Sequence, residues 1–103
     1  MPKLSDAQVA QALNQLPDWR REGDTIVRTV RFPEFLEGIR FLDRVAEIAE
    51  AADHHPDIDI RYRTLRFALS THDQGGLTEK DFALAGNIDR ALASSNAAPA
   101  DAD

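Results

Sequence analysis

Three histidines, His54, His55 and His72, are the residues of this chain best suited to chemistry. The imidazole is the side chain whose ordinary pKa, about 6.5, lies close to neutrality, so acid and base forms coexist there. Two such groups on opposite sides of a small molecule donate one proton and remove another, a contribution of about 10²–10⁴-fold in rate. The chain has no cysteine, which removes thiolate nucleophiles and disulfides alike. Ser70 and Thr71 stand near His72, yet no Ser-His-Asp arrangement can be assembled from the sequence. A metal reading is poorly served: adjacent helical residues diverge by about 100°, and neither HExxH nor a Cys/His spacing accompanies the pair. A third reading stays open, in which His54-His55 is a solvated pair favoured by the dipole of the helix it follows.

The elements that carry these residues are legible in outline. Ser5 and Gln8 spell a capping box, with Leu4 and Val9 as a staple, and Val9, Leu13 and Leu16 line a first helix that Pro17 ends. Trp19 to Phe32 reads as two strands around Glu22-Gly23-Asp24. From Pro33 the period changes, and Glu34 to Asp53 reads as a long helix with two adjacent apolar stripes. One stripe holds Phe35, Ile39, Leu42, Ala46 and Ala49; the other holds Phe41, Val45, Ile48 and Ala52. Two stripes imply that this helix meets more than one neighbour, either another subunit or the first or last helix.

Pro56 stops the helix directly after His54-His55, and Ile58, Ile60 and Tyr62 alternate with Asp57, Asp59 and Arg61 as a half-buried strand. Leu65, Phe67, Leu69 and Thr71 mark the next strand, which Gln74-Gly75-Gly76 breaks. Thr78 then caps a last helix with Asp81 at its third position, where an acidic residue is also explained by capping alone. All three histidines thus fall at element ends. Helix, two strands, helix, two strands, helix indicates an α+β fold: a four-stranded antiparallel sheet with three helices packed on one face. Residues 1–93 are expected to form one domain, and 94–103, rich in Ala, Ser and Asp, a disordered tail.

The 103 residues suffice for one domain, and the formal charge of −6 argues against a nucleic-acid partner. The longest apolar run, Phe82-Ala83-Leu84-Ala85, falls far short of the roughly 20 residues of a membrane span. Met1-Pro2-Lys3-Leu4-Ser5 lacks the apolar segment of an export signal, so a cytoplasmic location is expected.

Taken with their spacing, these residues resemble the pterin-4a-carbinolamine dehydratases. The family pattern is an acidic residue, three positions, His-His-Pro, an aromatic residue, nine positions, His, and then Asp. It is filled by Glu50, His54-His55-Pro56, Tyr62, His72 and Asp81. Ser70 to Asp81 looks like the family's second signature, and Trp19 and the Phe32/Phe35/Phe41 spacing also fit. The likeness runs from about Ser5 to Leu92. It departs at Asp57-Ile58, where many members place an aromatic residue after the acidic one, and Asp73-Gln74 lies in a variable part of the signature.

The resemblance implies a homodimer or homotetramer and a reaction that needs neither metal nor cofactor, the pterin being the substrate. That reaction is loss of water from 4a-hydroxytetrahydrobiopterin, or a related pterin, to give the quinonoid dihydropterin in tetrahydrobiopterin recycling. It implies a catalytic set of His54, His55 and His72, with His54 and His72 as general acid and base and His55 chiefly holding the pterin. Pro56, Thr71, Asp73 and Gln74 would complete the substrate site, and Glu50 and Asp81 would orient or tune the histidines. The competing class is a non-enzymatic interaction module, a transcriptional coactivator or assembly factor, that uses the long helix.

Overall fold

Local capping chemistry sets the start of the first helix, α1 (Asp6–Leu13). Ser5 Oγ accepts from the Gln8 backbone N–H at 3.2 Å, and Gln8 Oε1 accepts from the Ser5 N–H at 2.8 Å, the reciprocal box read from the sequence. The computed structural model describes residues 2–99. After α1 the chain continues through β1 (Arg20–Glu22), β2 (Thr25–Arg31), α2 (Phe35–Ala52), β3 (Asp57–Arg61), β4 (Thr64–Leu69), a 3₁₀ turn (His72–Gln74), α3 (Glu79–Ala93) and β5 (Ala98–Pro99). The antiparallel sheet has the order β1-β2-β4-β3, with β5 paired to β2.

The register puts the apolar sets of the central strands on one face. Ile26 lies opposite Leu69 and Val30 opposite Leu65, while Ile58 and Ile60 lie opposite Phe67 and Leu65. These side chains form one core with Val9 and Leu16, with Phe41 and Val45 of α2, and with Leu84 and Ile88 of α3. Three helices therefore cover one face, as expected. Arg28 interrupts this inner row opposite Phe67 and explains the imperfect alternation of β2. Its guanidinium donates to Asp89 Oδ1 at 2.7 Å, the same oxygen that accepts the Trp19 indole N–H at 2.8 Å.

The two stripes of α2 have different fates. In the Phe41 stripe, Phe41 and Val45 are buried, Ile48 is half-buried and Ala52 exposed; Gly38 is buried too, its missing Cβ allowing close approach to the sheet, since a methyl there would sit 3.2 Å from Leu65 Cδ1. In the other stripe Ala49 alone is buried; Ile39 and Leu42 are half-buried, and Phe35 and Ala46 are exposed. Phe35 stacks instead on Tyr62 of the β3–β4 turn, with ring centroids 6.3 Å apart.

The segment from residue 94, expected as a disordered tail, makes contacts with the fold in its described part. Ser94 and Ser95 hydroxyls donate to the carbonyls of Ala91 and Leu92 at the end of α3. Ala98 and Pro99 then pair with Arg31 and Val30. Pro99 has no N–H to give, which an edge position tolerates. Residues 100–103 lie outside the described residues.

Candidate active site

The site begins at the end of α2. Asp53 adopts the left-handed conformation (φ 51°) that commonly ends a helix, and the His54 N–H reaches back to the Ala49 carbonyl at 3.1 Å. The chain thereby reverses, and Pro56 leads it into β3. This sharp exit sends the two adjacent imidazoles different ways. His54 has only 12% of its side chain exposed and places Nε2 2.6 Å from Asp81 Oδ1. His55 remains exposed and places Nε2 2.8 Å from Glu50 Oε1, one turn back on α2.

Asp81 is brought to His54 by α3. Thr78 caps that helix, and Asp81, three residues on, accepts the Thr78 backbone N–H on Oδ2 at 2.9 Å. The carboxylate has no solvent exposure, yet it is fully engaged: Oδ1 meets His54, and Oδ2 also accepts the Thr71 hydroxyl at 2.8 Å. A buried carboxylate is tolerated because both oxygens are hydrogen-bonded and the positive end of α3 faces it. One side chain thus serves as helix cap and as partner of an imidazole. The capping and supporting readings of Asp81 are both realised in its contacts.

His72 is presented differently. It opens the 3₁₀ turn at the end of the hairpin and lies exposed, followed by exposed Asp73 and Gln74. Thr71 and Gly76 pair across the base of this loop, with Thr71 N–H to Gly76 O at 3.0 Å. Gly75 occupies the left-handed region at φ 72°, which glycine enters without steric cost. The loop is therefore a short, tied-down platform. Because Thr71 immediately precedes His72, the carboxylate that holds His54 also grips the root of the loop that carries His72.

Of the residues singled out in the sequence, the structure joins His54, Asp81 and Thr71 through direct bonds, and His55 to Glu50 through another. Pro56 is half-buried between His55 and β3, and the side chains of Asp73 and Gln74 form no part of the bonded network around Asp81. Thr71 is expected at the substrate rim through its backbone, but the bond of its hydroxyl to Asp81 is not legible in the sequence, and Thr78 reads there only as a cap. Among the described residues, no three His, Asp or Glu side chains gather as a metal-ligating group. Also among them, no helix is long and apolar enough to cross a membrane. The arrangement sets one anchored and two accessible imidazoles at the ends of three elements, a layout suited to proton transfer with a small molecule.

Comparison with known proteins points the same way. The family model described as pterin 4 alpha carbinolamine dehydratase matches residues 2–91. A relative from Chloroflexus aurantiacus, named "putative pterin-4-alpha-carbinolamine dehydratase", is 59% identical over 92 residues, covering 89% of this chain and 99% of its own. One of the same name from Nocardia farcinica is 60% identical over 86 residues, covering 84% and 90%. Among solved structures, a transcriptional coactivator/pterin dehydratase from Brucella melitensis superposes with a TM-score of 0.83 at 28% identity, covering 86% of this chain and 97% of that one. A pterin dehydratase-like protein identified as a RuBisCO assembly factor in the alpha-carboxysome gives a TM-score of 0.63 at 27% identity, covering 76% and 92%. The chain belongs to the pterin-4a-carbinolamine dehydratase family.

Proposed function

We propose that this protein dehydrates 4a-hydroxytetrahydrobiopterin, or a closely related 4a-carbinolamine pterin, to the quinonoid dihydropterin and water, in the cytoplasmic recycling of tetrahydrobiopterin. The C4a–O bond breaks as the hydroxyl takes a proton from an acid. The lone pair of the adjacent ring nitrogen closes a C=N bond, and that nitrogen gives its proton to a base. One proton enters, one leaves, and no electron carrier is called for. His54 and His72 supply the acid and base across the C4a centre. His55, steadied by Glu50, holds the pterin with Pro56 and the loop backbone at Thr71, Asp73 and Gln74.

The observation that supports this reading most strongly is the wholly buried Asp81 carboxylate on His54 Nε2 at 2.6 Å. An imidazole needed only for solubility has no use for such a partner. The test is stopped-flow dehydration of freshly generated 4a-hydroxytetrahydropterin against its spontaneous rate. Clear acceleration by the wild type is the expected result.

A second reading is an interaction module without catalysis, for which the exposed Phe35, Leu36 and Tyr62 at the start of α2 and the β3–β4 turn speak. It expects no acceleration, and the same experiment separates the two.

A further inference from the structure

Asp81 Oδ2 holds a hydroxyl that neither helix capping nor the histidines account for. Thr71 stands at the N-terminal cap of the 3₁₀ turn but makes no side-chain capping bond there. Its hydroxyl instead spans ten residues to Asp81 Oδ2 at 2.8 Å, and also lies 2.8 Å from Thr78 Oγ1. Thr71 and Thr78 are both buried, so solvent offers these hydroxyls no other partner.

Each hydroxyl has one proton to give, and that count orders the whole network. The Lys80 backbone N–H donates to Thr78 Oγ1 at 3.2 Å. Asp81 as a carboxylate only accepts, so the Thr71 proton goes to Oδ2. Thr71 then has only lone pairs to offer Thr78, and the Thr78 proton must point at Thr71 Oγ1. Oδ2 takes the Thr78 N–H as well, which leaves Oδ1 for His54 alone. An ionised carboxylate has no proton to give, so the bond at Oδ1 is donated by His54 Nε2–H, and the Thr71 and Thr78 donors at Oδ2 favour that ionised form.

We propose that Thr71 is a positioning residue: its hydroxyl closes a one-way hydrogen-bond chain that holds His54 as the Nε2–H tautomer. Nδ1 is then the nitrogen that exchanges protons with the substrate. Because Thr71 is also the root of the His72 loop, bridged to Gly76, it ties the placement of both histidines to one buried carboxylate. The catalytic half of this statement rests on the dehydratase reading, whereas the tautomer half stands without it.

The test compares wild type with Thr71→Val, which keeps the shape and removes the hydroxyl, and Thr71→Ser, which restores it. Imidazole ¹H–¹⁵N spectra at about pH 9, well above the ordinary histidine pKa of about 6.5, read the tautomer of His54 without substrate. The wild type and Thr71→Ser are expected to show Nε2–H, and Thr71→Val a mixture. The dehydration kcat is expected to fall about 10- to 100-fold in Thr71→Val with little change in KM, and to return to within about threefold in Thr71→Ser. A wild type holding His54 as Nδ1–H overturns the proposal, even where Thr71→Val fails to fold. Thr71→Val with unchanged tautomer and unchanged kcat overturns it too. A wild type that leaves the pterin at its spontaneous rate but loses the Nε2–H signature in Thr71→Val supports the chain and overturns only the dehydratase reading.

Discussion

The Asp81 side chain meets only donors, which makes its replacement by asparagine informative. An amide in the same place brings N–H groups toward partners that already donate, and the least costly relief is a tautomer change at His54. Asp81→Asn is therefore expected to lower the dehydration rate by at least about 10²-fold. It should cost about 1–3 kcal/mol in denaturant unfolding. His55 gives the opposite profile. Its bond to Glu50 joins two largely exposed side chains, with 59% and 81% of their surface open. His55→Ala should shift stability by less than about 0.5 kcal/mol while raising KM, as measured by urea melts and steady-state kinetics. At this scale the sequence was only half legible. The spacing of Glu50, His54, His55, His72 and Asp81 is visible in one dimension, and so is Thr71 as part of the substrate rim, but the bonds of the Thr71 and Thr78 hydroxyls around Asp81 arise only when α3 docks beside the hairpin. Nothing local distinguishes a threonine that bonds a buried carboxylate from one that merely prefers a strand.

Local chemistry made several elements readable in advance. The Ser5/Gln8 and Thr78/Asp81 boxes are complete within four residues and so survive translation into structure. The long helix runs Phe35–Ala52, flanked by Glu34 and Asp53 as caps, which matches its periodicity. What escaped reading depends on distant partners: the salt-linked Arg28 on the inner face, and the two-residue β5, whose Ala-Pro composition says nothing about pairing. The turns offer a clean test of element against site. Gly23 and Gly75 both hold positive φ with open space where a Cβ would stand. Alanine at either should destabilise by about 1 kcal/mol, the left-handed strain of an L residue less the entropy it removes from the unfolded chain. Thermal melts should show equal losses. Only Gly75→Ala should slow dehydration, because that turn closes the loop presenting His72, whereas Gly23 serves the β1–β2 hairpin.

Across the whole molecule, helices shield one sheet face while apolar surface persists at one corner. Phe35, Leu36 and Tyr62 lie exposed beside β3, which ends the sheet order. Clustered aromatic and aliphatic surface of this kind marks association sites in small domains. Under the homodimer or homotetramer that the family resemblance implies, a Phe35→Glu/Leu36→Glu double variant should sediment as a smaller species than wild type with its fold retained by circular dichroism. A wild type already monomeric at micromolar concentration would contradict that state. The site itself draws on three successive parts of the fold: α2 brings His54 and His55, the hairpin brings His72, and α3 brings the carboxylate. The decisive measurement is therefore the stopped-flow dehydration rate of freshly formed 4a-hydroxytetrahydropterin with wild type, His54→Ala and His72→Ala side by side. A dehydratase that uses both histidines should give acceleration by the folded wild type, reduced by about 10²-fold or down to the spontaneous rate in each variant. Equal rates in all three would contradict it.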